Sequence, residues 1–157
     1  MWTVNEVTDP AERQAACNSI ITQLPAWFGI PSATERYIRE VADEVALVIH
    51  DDTGAPLGML SLRHPFPNNA DILWLGVLSD YHRSGMGRAL VEAAIKRAKE
   101  WGCKTLTVET LGPSHPDEGY RRTRAFYAAM GFEPLFELAP YGPDNPQIYL
   151  LMQLGDR

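Results

Sequence analysis

Two glycines and two arginines lie close together in residues 81–90, which read YHRSGMGRAL. This segment joins an apolar run to a helical pattern, so its glycines fall at the start of a predicted helix. The first N–H groups of a helix have no acceptor within it, and the helix dipole is positive there, so an anion is stabilised. Gly85 and Gly87 lack the β-carbons that would keep a phosphate away, and Arg83 and Arg88 add positive charge. The combination suits a diphosphate better than a carboxylate.

Two other phosphate-binding motifs fit this segment less well. A Walker motif requires Lys and then Ser or Thr after its last glycine, whereas Arg88 and Ala89 follow Gly87. The dinucleotide-binding fingerprint requires a third small residue where Leu90 stands, and it normally follows the first strand of its domain. Glycines also occur at strand-to-helix turns for steric reasons alone, so a purely structural turn stays open.

The elements around this turn alternate between helical and strand patterns. Asp9 and Pro10 resemble the N-cap and first residue of a helix that runs to about Leu24, and Gly102 and Gly131 mark the ends of two later helices. The order indicates a mixed α/β (α+β) fold with a central mixed sheet flanked by helices. The predicted helices cover residues 10–24, 34–42, 86–101 and 120–130, and the predicted strands cover residues 45–50, 56–63, 71–78, 104–111, 132–139 and 147–154.

The composition indicates one soluble domain, residues 1–157. Hydrophobic residues make up 45% of the chain, which is ordinary for a globular protein, and no apolar run is long enough to span a membrane. Glu6 and Asp9 lie where a secretory signal would be basic and then apolar, so a cytoplasmic location is expected. The net charge of -6 argues against nucleic acid as the main partner.

The histidines and cysteines do not form a metal-binding pattern. The four histidines lie at positions 50, 64, 82 and 115, with no helical pair and no cysteines at ligand spacing. Cys17 and Cys103 are expected to be reduced thiols, because a domain of this length does not need a disulfide to fold. We therefore predict no metal site.

Two segments together resemble the GNAT superfamily of N-acetyltransferases. Residues 82–87, HRSGMG, match the family's (Gln or Arg)-x-x-Gly-x-(Gly or Ala) segment, with His82 in place of the first Gln or Arg and Arg83 beside it as a substitute. Residues 123–132, TRAFYAAMGF, look like the family's late helix with its aromatic-Tyr-x-x-x-Gly-Phe run, although Tyr120 stands where the family often has Asn. The resemblance covers residues 45–154. It implies a GNAT-like sheet of about six to seven strands, splayed between its two central parallel strands, and acetyl-coenzyme A as cosubstrate.

The resemblance also implies roles for individual residues. The backbone of Leu75, Gly76 and Val77 would pair with the pantetheine arm of the coenzyme, and the Val77 N–H would donate to the thioester oxygen. Gly76 would allow either close approach of the arm or close packing against a helix. Tyr127 would contact the coenzyme and protonate the departing thiolate, since a phenol with a pKa near ~10 can do so for a thiol of pKa nearer ~8.5. The diphosphate would bind at His82, Arg83, Ser84, Gly85, Met86, Gly87 and Arg88.

Acetyl transfer to an amine requires a group that removes a proton from the amine. A lysine-like amine with a pKa near ~10.4 is neutral in fewer than about one molecule in a thousand at pH 7, so a nearby carboxylate would help. Asp71 matches an acidic position of the family, but it also fits a turn after Asn68 and Asn69. Glu109 lies in the next strand and could equally be a solvent-facing side chain. Both stay candidates for the general base.

Two further residues have alternative interpretations. The ring of Tyr127 could be a packing element instead of an acid, whereas Phe126 and Met130 are expected in the core. Cys103 could in principle carry an acyl group, but a lone cysteine entering a strand is usually inert. We therefore expect direct attack by the amine in a ternary complex.

The sequence does not identify the acceptor. A small-molecule amine or a peptide amine would fit, and a homodimer is one assembly that the resemblance suggests. Two other functions stay open: a non-catalytic module that binds or senses acyl-coenzyme A, and an α/β interaction domain whose glycine turn is only structural. Residues expected to line or border the acceptor side are Trp27, Phe28, Tyr37, Trp74 and the loops 112–119 and 141–146.

Overall fold

A computed structural model describes residues 2–155, which contain seven strands and four α-helices. The helices are α1 (Pro10–Ile21), α2 (Pro31–Glu40), α3 (Met86–Glu100) and α4 (Glu118–Met130). The strands are β1 (Asn5–Val7), β2 (Val45–His50), β3 (Pro56–Phe66), β4 (Asn69–Val77), β5 (Thr105–Leu111), β6 (Glu133–Leu138) and β7 (Gln147–Gln153). Within this part of the chain, no helix combines the length and apolar character that crossing a membrane requires.

The strands form a mixed sheet in the order β1-β2-β3-β4-β5-β7-β6. Most neighbours are antiparallel, and β4 and β5 are a parallel pair. In the antiparallel pairs, Val45 of β2 lies opposite Leu62 of β3, and Glu109 of β5 lies opposite Tyr149 of β7. The predicted mixed α/β fold, with about six to seven strands and flanking helices, is confirmed. The splay between the two parallel strands stays a prediction.

Local signals set several of the element ends. The Asp9 carboxylate accepts a hydrogen bond from the Glu12 N–H at 2.9 Å. Asp9 is therefore the N-cap of α1, as predicted. Gly102 and Gly131 follow α3 and α4 in left-handed conformations, with φ of 81° and 107°. A glycine adopts this conformation without the steric cost that a β-carbon would add. The predicted ends of these two helices are therefore confirmed.

Several element ends differ from the sequence prediction, and one strand was missed. α2 spans residues 31–40 rather than 34–42, and β3 ends at Phe66 rather than at residue 63. α1 ends at Ile21 rather than near Leu24, because the N–H groups of Gln23 and Leu24 bond to carbonyls three residues back in a tighter turn. Strand β1 was not predicted. It has only three residues, and its pairing with β2, where Asn5 lies opposite Val48, defines it.

The described residues divide into two compact units. Unit 1 comprises residues 2–63 and 72–97, and unit 2 comprises residues 64–71 and 98–155. The core of unit 1 includes Ala16, Cys17, Ile20, Ile21 and Leu24 from α1 and the loop after it, together with Ala46, Val48, Met59 and Trp74 from the strands. The buried residues of unit 2 include Leu106, Val108, Tyr127, Phe132, Ile148, Leu150 and Met152. A single functional domain over residues 1–157 stays a prediction.

Candidate active site

The segment between β4 and α3 forms a tight turn in unit 1. Ser79–Tyr81 makes one 3₁₀ turn, and Arg83 and Gly85 then adopt left-handed conformations with φ of 63° and 85°. α3 begins at Met86, and the Ala89 N–H donates to the Gly85 carbonyl. A β-carbon at Gly85 would meet no atom within 4 Å, so the space beside this backbone is open. The amides at the start of α3 are thus accessible to an anion.

The side chains of the turn divide into exposed cations and a buried anchor. Arg83 and Arg88 are exposed, and an Arg88 nitrogen lies 3.8 Å from a carboxylate oxygen of Glu92. Such an exposed pair is weak, so it does not keep Arg88 from a bound anion. Met86 is fully buried, and its sulfur would be 2.8 Å from a β-carbon at Gly58. Of these residues, Met86 can therefore offer a ligand only its backbone.

His82 contacts the end of β4. Its Nε2 lies 2.7 Å from the carbonyl oxygen of Val77, so the ring donates to that oxygen when Nε2 carries the proton. The Trp27 ring packs against His82 edge to face, with ring centroids 5.3 Å apart. His82, which replaces the family's first Gln or Arg, thus ties the turn to the strand.

Leu75, Gly76 and Val77 complete β4 with side chains on alternating faces. A β-carbon at Gly76 would lie 2.5 Å from the Trp74 ring and 3.2 Å from Ile20. Because these side chains fill the space above Gly76, close packing against α1 accounts for the glycine. Leu75 and Val77 are half-buried on the other face. The backbone role of the three residues toward a coenzyme stays a prediction.

Three of the aromatic residues expected near the acceptor pack together in unit 1. The ring centroid of Phe28 lies 5.4 Å from that of Trp74 and 6.3 Å from that of Tyr37. The fourth, Trp27, contacts His82 of the turn instead.

Asp71 belongs to unit 2 and lies inside β4, so the alternative that it is a turn residue is wrong. Its carboxylate accepts a hydrogen bond from the Thr107 hydroxyl, with 2.6 Å between the oxygens. The Asn69 amide donates to the same hydroxyl at 3.3 Å and accepts from Thr105 at 2.9 Å. This polar group holds Asp71 in a defined place beside β5.

Two tyrosines hold the other carboxylate, Glu109, in unit 2. The Tyr141 hydroxyl donates to Glu109 at 2.8 Å, and Tyr149 lies directly opposite Glu109 in the β5–β7 pair. Burial, and then the hydrogen bond to Glu109 and its negative charge, raise the pKa of Tyr149 to about 12. The Tyr149 phenol therefore keeps its proton at neutral pH and donates a hydrogen bond to Glu109. The sequence did not point to Tyr149, because its contact with Glu109 depends on strand register.

Tyr127 lies in α4 of unit 2 and is almost completely buried, with 4% of its surface exposed. Its ring packs against Phe126 and Phe132, with centroids 5.3 and 5.4 Å apart. Phe126 and Met130 are only half-buried, so the expectation that they would be the core residues of this helix is wrong. The face of α4 that packs inward is the one that carries Tyr127.

Within residues 2–155, neither the two cysteines nor a cluster of metal-binding side chains provides a further reactive site. Both cysteines are buried free thiols, and burial raises the pKa of Cys17 to about 12 and the pKa of Cys103 above its usual value. Among the described residues, no group of three or more His, Cys, Asp or Glu side chains could hold a metal ion.

The chain matches the model of the acetyltransferase (GNAT) family over residues 14–132. A GNAT-family protein from Desulfovibrio desulfuricans superposes with a TM-score of 0.82 at 19% identity, covering 99% of this chain and 100% of the other. The ribosomal-protein-S18-alanine N-acetyltransferase from Escherichia coli has a TM-score of 0.76 at 17% identity, covering 99% and 96%. An aminoglycoside 6'-N-acetyltransferase complexed with coenzyme A has a TM-score of 0.73 at 15% identity, covering 99% and 98%. Because these sequence identities are low, the similarity to the three solved structures shows a shared fold only. No curated protein matches the sequence.

Proposed function

This chain belongs to the acetyltransferase (GNAT) family, and we propose that it transfers the acetyl group of acetyl-coenzyme A to a primary amine by direct attack in a ternary complex. The observation that carries the proposal is the turn before α3. There, Gly85 leaves open space beside the first helical amides, and two exposed arginines flank it. A structural neighbour of this chain was solved with coenzyme A bound, which supports the same ligand class here.

The coenzyme is assigned to the turn and to the end of β4. The amides of Gly85, Met86 and Gly87 would bind the diphosphate, with Arg83 and Arg88 supplying charge. The Ser84 N–H already donates to the Tyr81 carbonyl within the turn. Leu75, Gly76 and Val77 would pair with the pantetheine amides through their backbone. The Val77 N–H would stabilise the negative charge that develops on the thioester oxygen during attack. When bound, the coenzyme supplies the activated acetyl group.

The acceptor amine must lose a proton before it can attack. We assign this step to a carboxylate of unit 2, either Glu109 or Asp71, acting directly or through one water. Both carboxylates accept hydrogen bonds from hydroxyl groups, which fixes their orientation. Their negative charge also favours the approach of an ammonium group.

In the transfer itself, the neutral amine nitrogen forms a bond to the acetyl carbon and the carbon–sulfur bond breaks. The departing thiolate takes a proton from the Tyr127 hydroxyl, and coenzyme A leaves as the free thiol. The nitrogen of the new amide loses its extra proton, which returns directly or through water to the Tyr127 phenolate, and the base releases its own proton to solvent. An acyl-enzyme on Cys103 is disfavoured, because this buried thiol has a raised pKa and forms little thiolate at neutral pH.

The first test measures acetyl-coenzyme A binding by calorimetry, followed by thiol release with a panel of small-molecule and peptide amines. Tyr127→Phe should bind acetyl-coenzyme A normally and lose about 10²- to 10⁴-fold in kcat, the range expected for a general acid. Tyr120→Phe, in the same helix, is the matched control and should keep wild-type kcat. Binding without thiol release from any amine would favour a non-catalytic acyl-coenzyme A module. Absence of binding would refute the proposal.

The second test separates the two candidate bases. Glu109→Gln and Asp71→Asn each remove one carboxylate and keep the size of the side chain. The variant of the true base should lose about 10²-fold or more in kcat, whereas the other variant should stay near the wild-type kcat. If both variants keep the wild-type kcat, neither carboxylate is the base.

A further inference from the structure

Trp2 contacts the turn before α3, although it lies 82 residues before Ser84 in the sequence. Its indole N–H donates to the carbonyl oxygen of Ser84, with 2.9 Å between the nitrogen and the oxygen. Its ring also meets the Tyr81 ring edge to face, with centroids 5.9 Å apart and an interplanar angle of 82°. One side chain therefore contacts both ends of the stretch that carries the left-handed Arg83.

The segment that carries Trp2 is itself anchored within unit 1. Strand β1 follows it and pairs with β2, with Asn5 opposite Val48 and Val7 opposite Ala46. Glu6 of β1 forms an ion pair with Arg97 of α3, and both side chains are about one-third exposed or less, at 30% and 27%. The same segment thus contacts α3 through Glu6 and the turn that begins α3 through Trp2.

The turn contains a left-handed residue with a β-carbon, and it is supported both by its own hydrogen bonds and by Trp2. Arg83 has a left-handed φ of 63°, a conformation that is unfavourable for a residue with a β-carbon. Within the turn, the Ser84 N–H donates to the Tyr81 carbonyl at 3.3 Å, a long hydrogen bond, and the Ser84 hydroxyl donates to the same carbonyl. The Trp2 indole supplies a shorter bond, at 2.9 Å, to the other end of the same residue.

The peptide bond between Ser84 and Gly85 transmits the effect of the indole. This bond is trans, since the described residues contain no cis peptide bond, and in a planar trans peptide the C=O and N–H point in opposite directions. A donor that fixes the Ser84 carbonyl therefore also fixes the direction of the Gly85 N–H. The Gly85 N–H is one of the amides assigned above to the diphosphate.

We propose that Trp2 is a positioning residue for coenzyme binding: its indole N–H holds the Ser84–Gly85 peptide so that the Gly85 amide points toward the coenzyme diphosphate. The inference rests on the proposed function of the turn. The effect of Trp2 should be confined to coenzyme binding, because a pre-oriented amide improves binding of the diphosphate and leaves the chemical step unchanged.

The test is Trp2→Phe, which keeps an aromatic ring beside Tyr81 and removes the N–H donor. The dissociation constant for coenzyme A should rise about 2- to 10-fold, as expected for the loss of one hydrogen bond. The KM for acetyl-coenzyme A should rise by the same factor, while kcat and the acceptor KM should not change. Trp101→Phe, in unit 2, is the matched control and should leave all of these values at wild type.

Acetyl-pantetheine, which lacks the diphosphate, separates positioning from a general structural role. Trp2→Phe should leave the KM for acetyl-pantetheine unchanged, whereas loss of fold would change both donors together. An unchanged affinity for coenzyme A in Trp2→Phe, or an equal loss with acetyl-pantetheine, would overturn the inference. If the wild type itself fails to bind coenzyme A, the proposed function fails as well, so the two failures are distinguishable. The urea midpoint of Trp2→Phe confirms that the variant is folded at assay temperature.

Discussion

Gly85→Ala separates the conformational role of Gly85 from its role in binding. Gly85 has a φ of 85°, and a left-handed conformation costs an alanine about 1–2 kcal/mol. The substitution also restricts the unfolded chain, which offsets roughly 0.4–1 kcal/mol of that cost. No clash adds to it, because no atom lies within 4 Å of the new β-carbon. The expected net loss is about 1 kcal/mol, or a thermal midpoint about 2–4 °C lower.

Binding should respond more strongly than stability. Under the proposed function, the diphosphate approaches the helical amides through the open space beside Gly85. A methyl group there would keep at least one phosphate oxygen out of hydrogen-bonding range. A hydrogen bond to a charged group contributes roughly 1.5–3 kcal/mol, so the Kd for coenzyme A should rise about 10- to 150-fold.

Gly54→Ala is the matched control for this experiment. Gly54 lies in the turn between β2 and β3 with a φ of 90°, and its β-carbon would also meet no atom within 4 Å. Both variants should therefore lose similar stability. In calorimetric titrations with coenzyme A, below the unfolding range, only Gly85→Ala should lose affinity. Wild-type affinity in Gly85→Ala, or an equal loss in both variants, would show that the diphosphate does not bind beside Gly85.

Three further predictions concern stability. Gly76→Ala should destabilise the fold by roughly 1–3 kcal/mol, because its β-carbon would overlap the Trp74 ring; a wild-type urea midpoint would contradict this. Hydrogen bonds from the Thr53 hydroxyl and from nearby backbone N–H groups lower the pKa of Asp51 in the folded protein. The ionised Asp51 carboxylate should therefore stabilise the fold above about pH 4, and this stabilisation should be lost as the pH falls through the lowered pKa. The urea midpoints of wild type and Asp51→Ala should therefore converge as the pH falls below about 4, and a constant gap would argue against the interpretation. Burial and the hydrogen bond to the Glu109 carboxylate raise the pKa of Tyr149 to about 12. The free energy of unfolding should therefore fall as the pH rises from about 10 toward 12. Tyr149→Phe should flatten this slope, and an unchanged slope would mean that Tyr149 titrates normally.

The sequence determined the order of helices and strands, because the relevant signals are local. Hydrophobic periodicity sets the type of element, and single residues such as Asp9 and Gly131 set its ends through hydrogen bonds or a left-handed conformation. The turn before α3 was predictable for the same reason, since its glycines and arginines are contiguous. Strand β1 escaped prediction because three residues carry no usable alternation, and only pairing with β2 makes them a strand.

Tertiary structure decided which distant side chains meet. Glu109 could be recognised as a candidate base, but its two tyrosine partners follow from the register of β5 with β7 and from a loop 32 residues away. Trp2 lies 82 residues from Ser84, and nothing in either segment indicates the contact. A periodic pattern reports which face of an element is buried. The partner on that face depends on strand order and register, which the whole chain sets together.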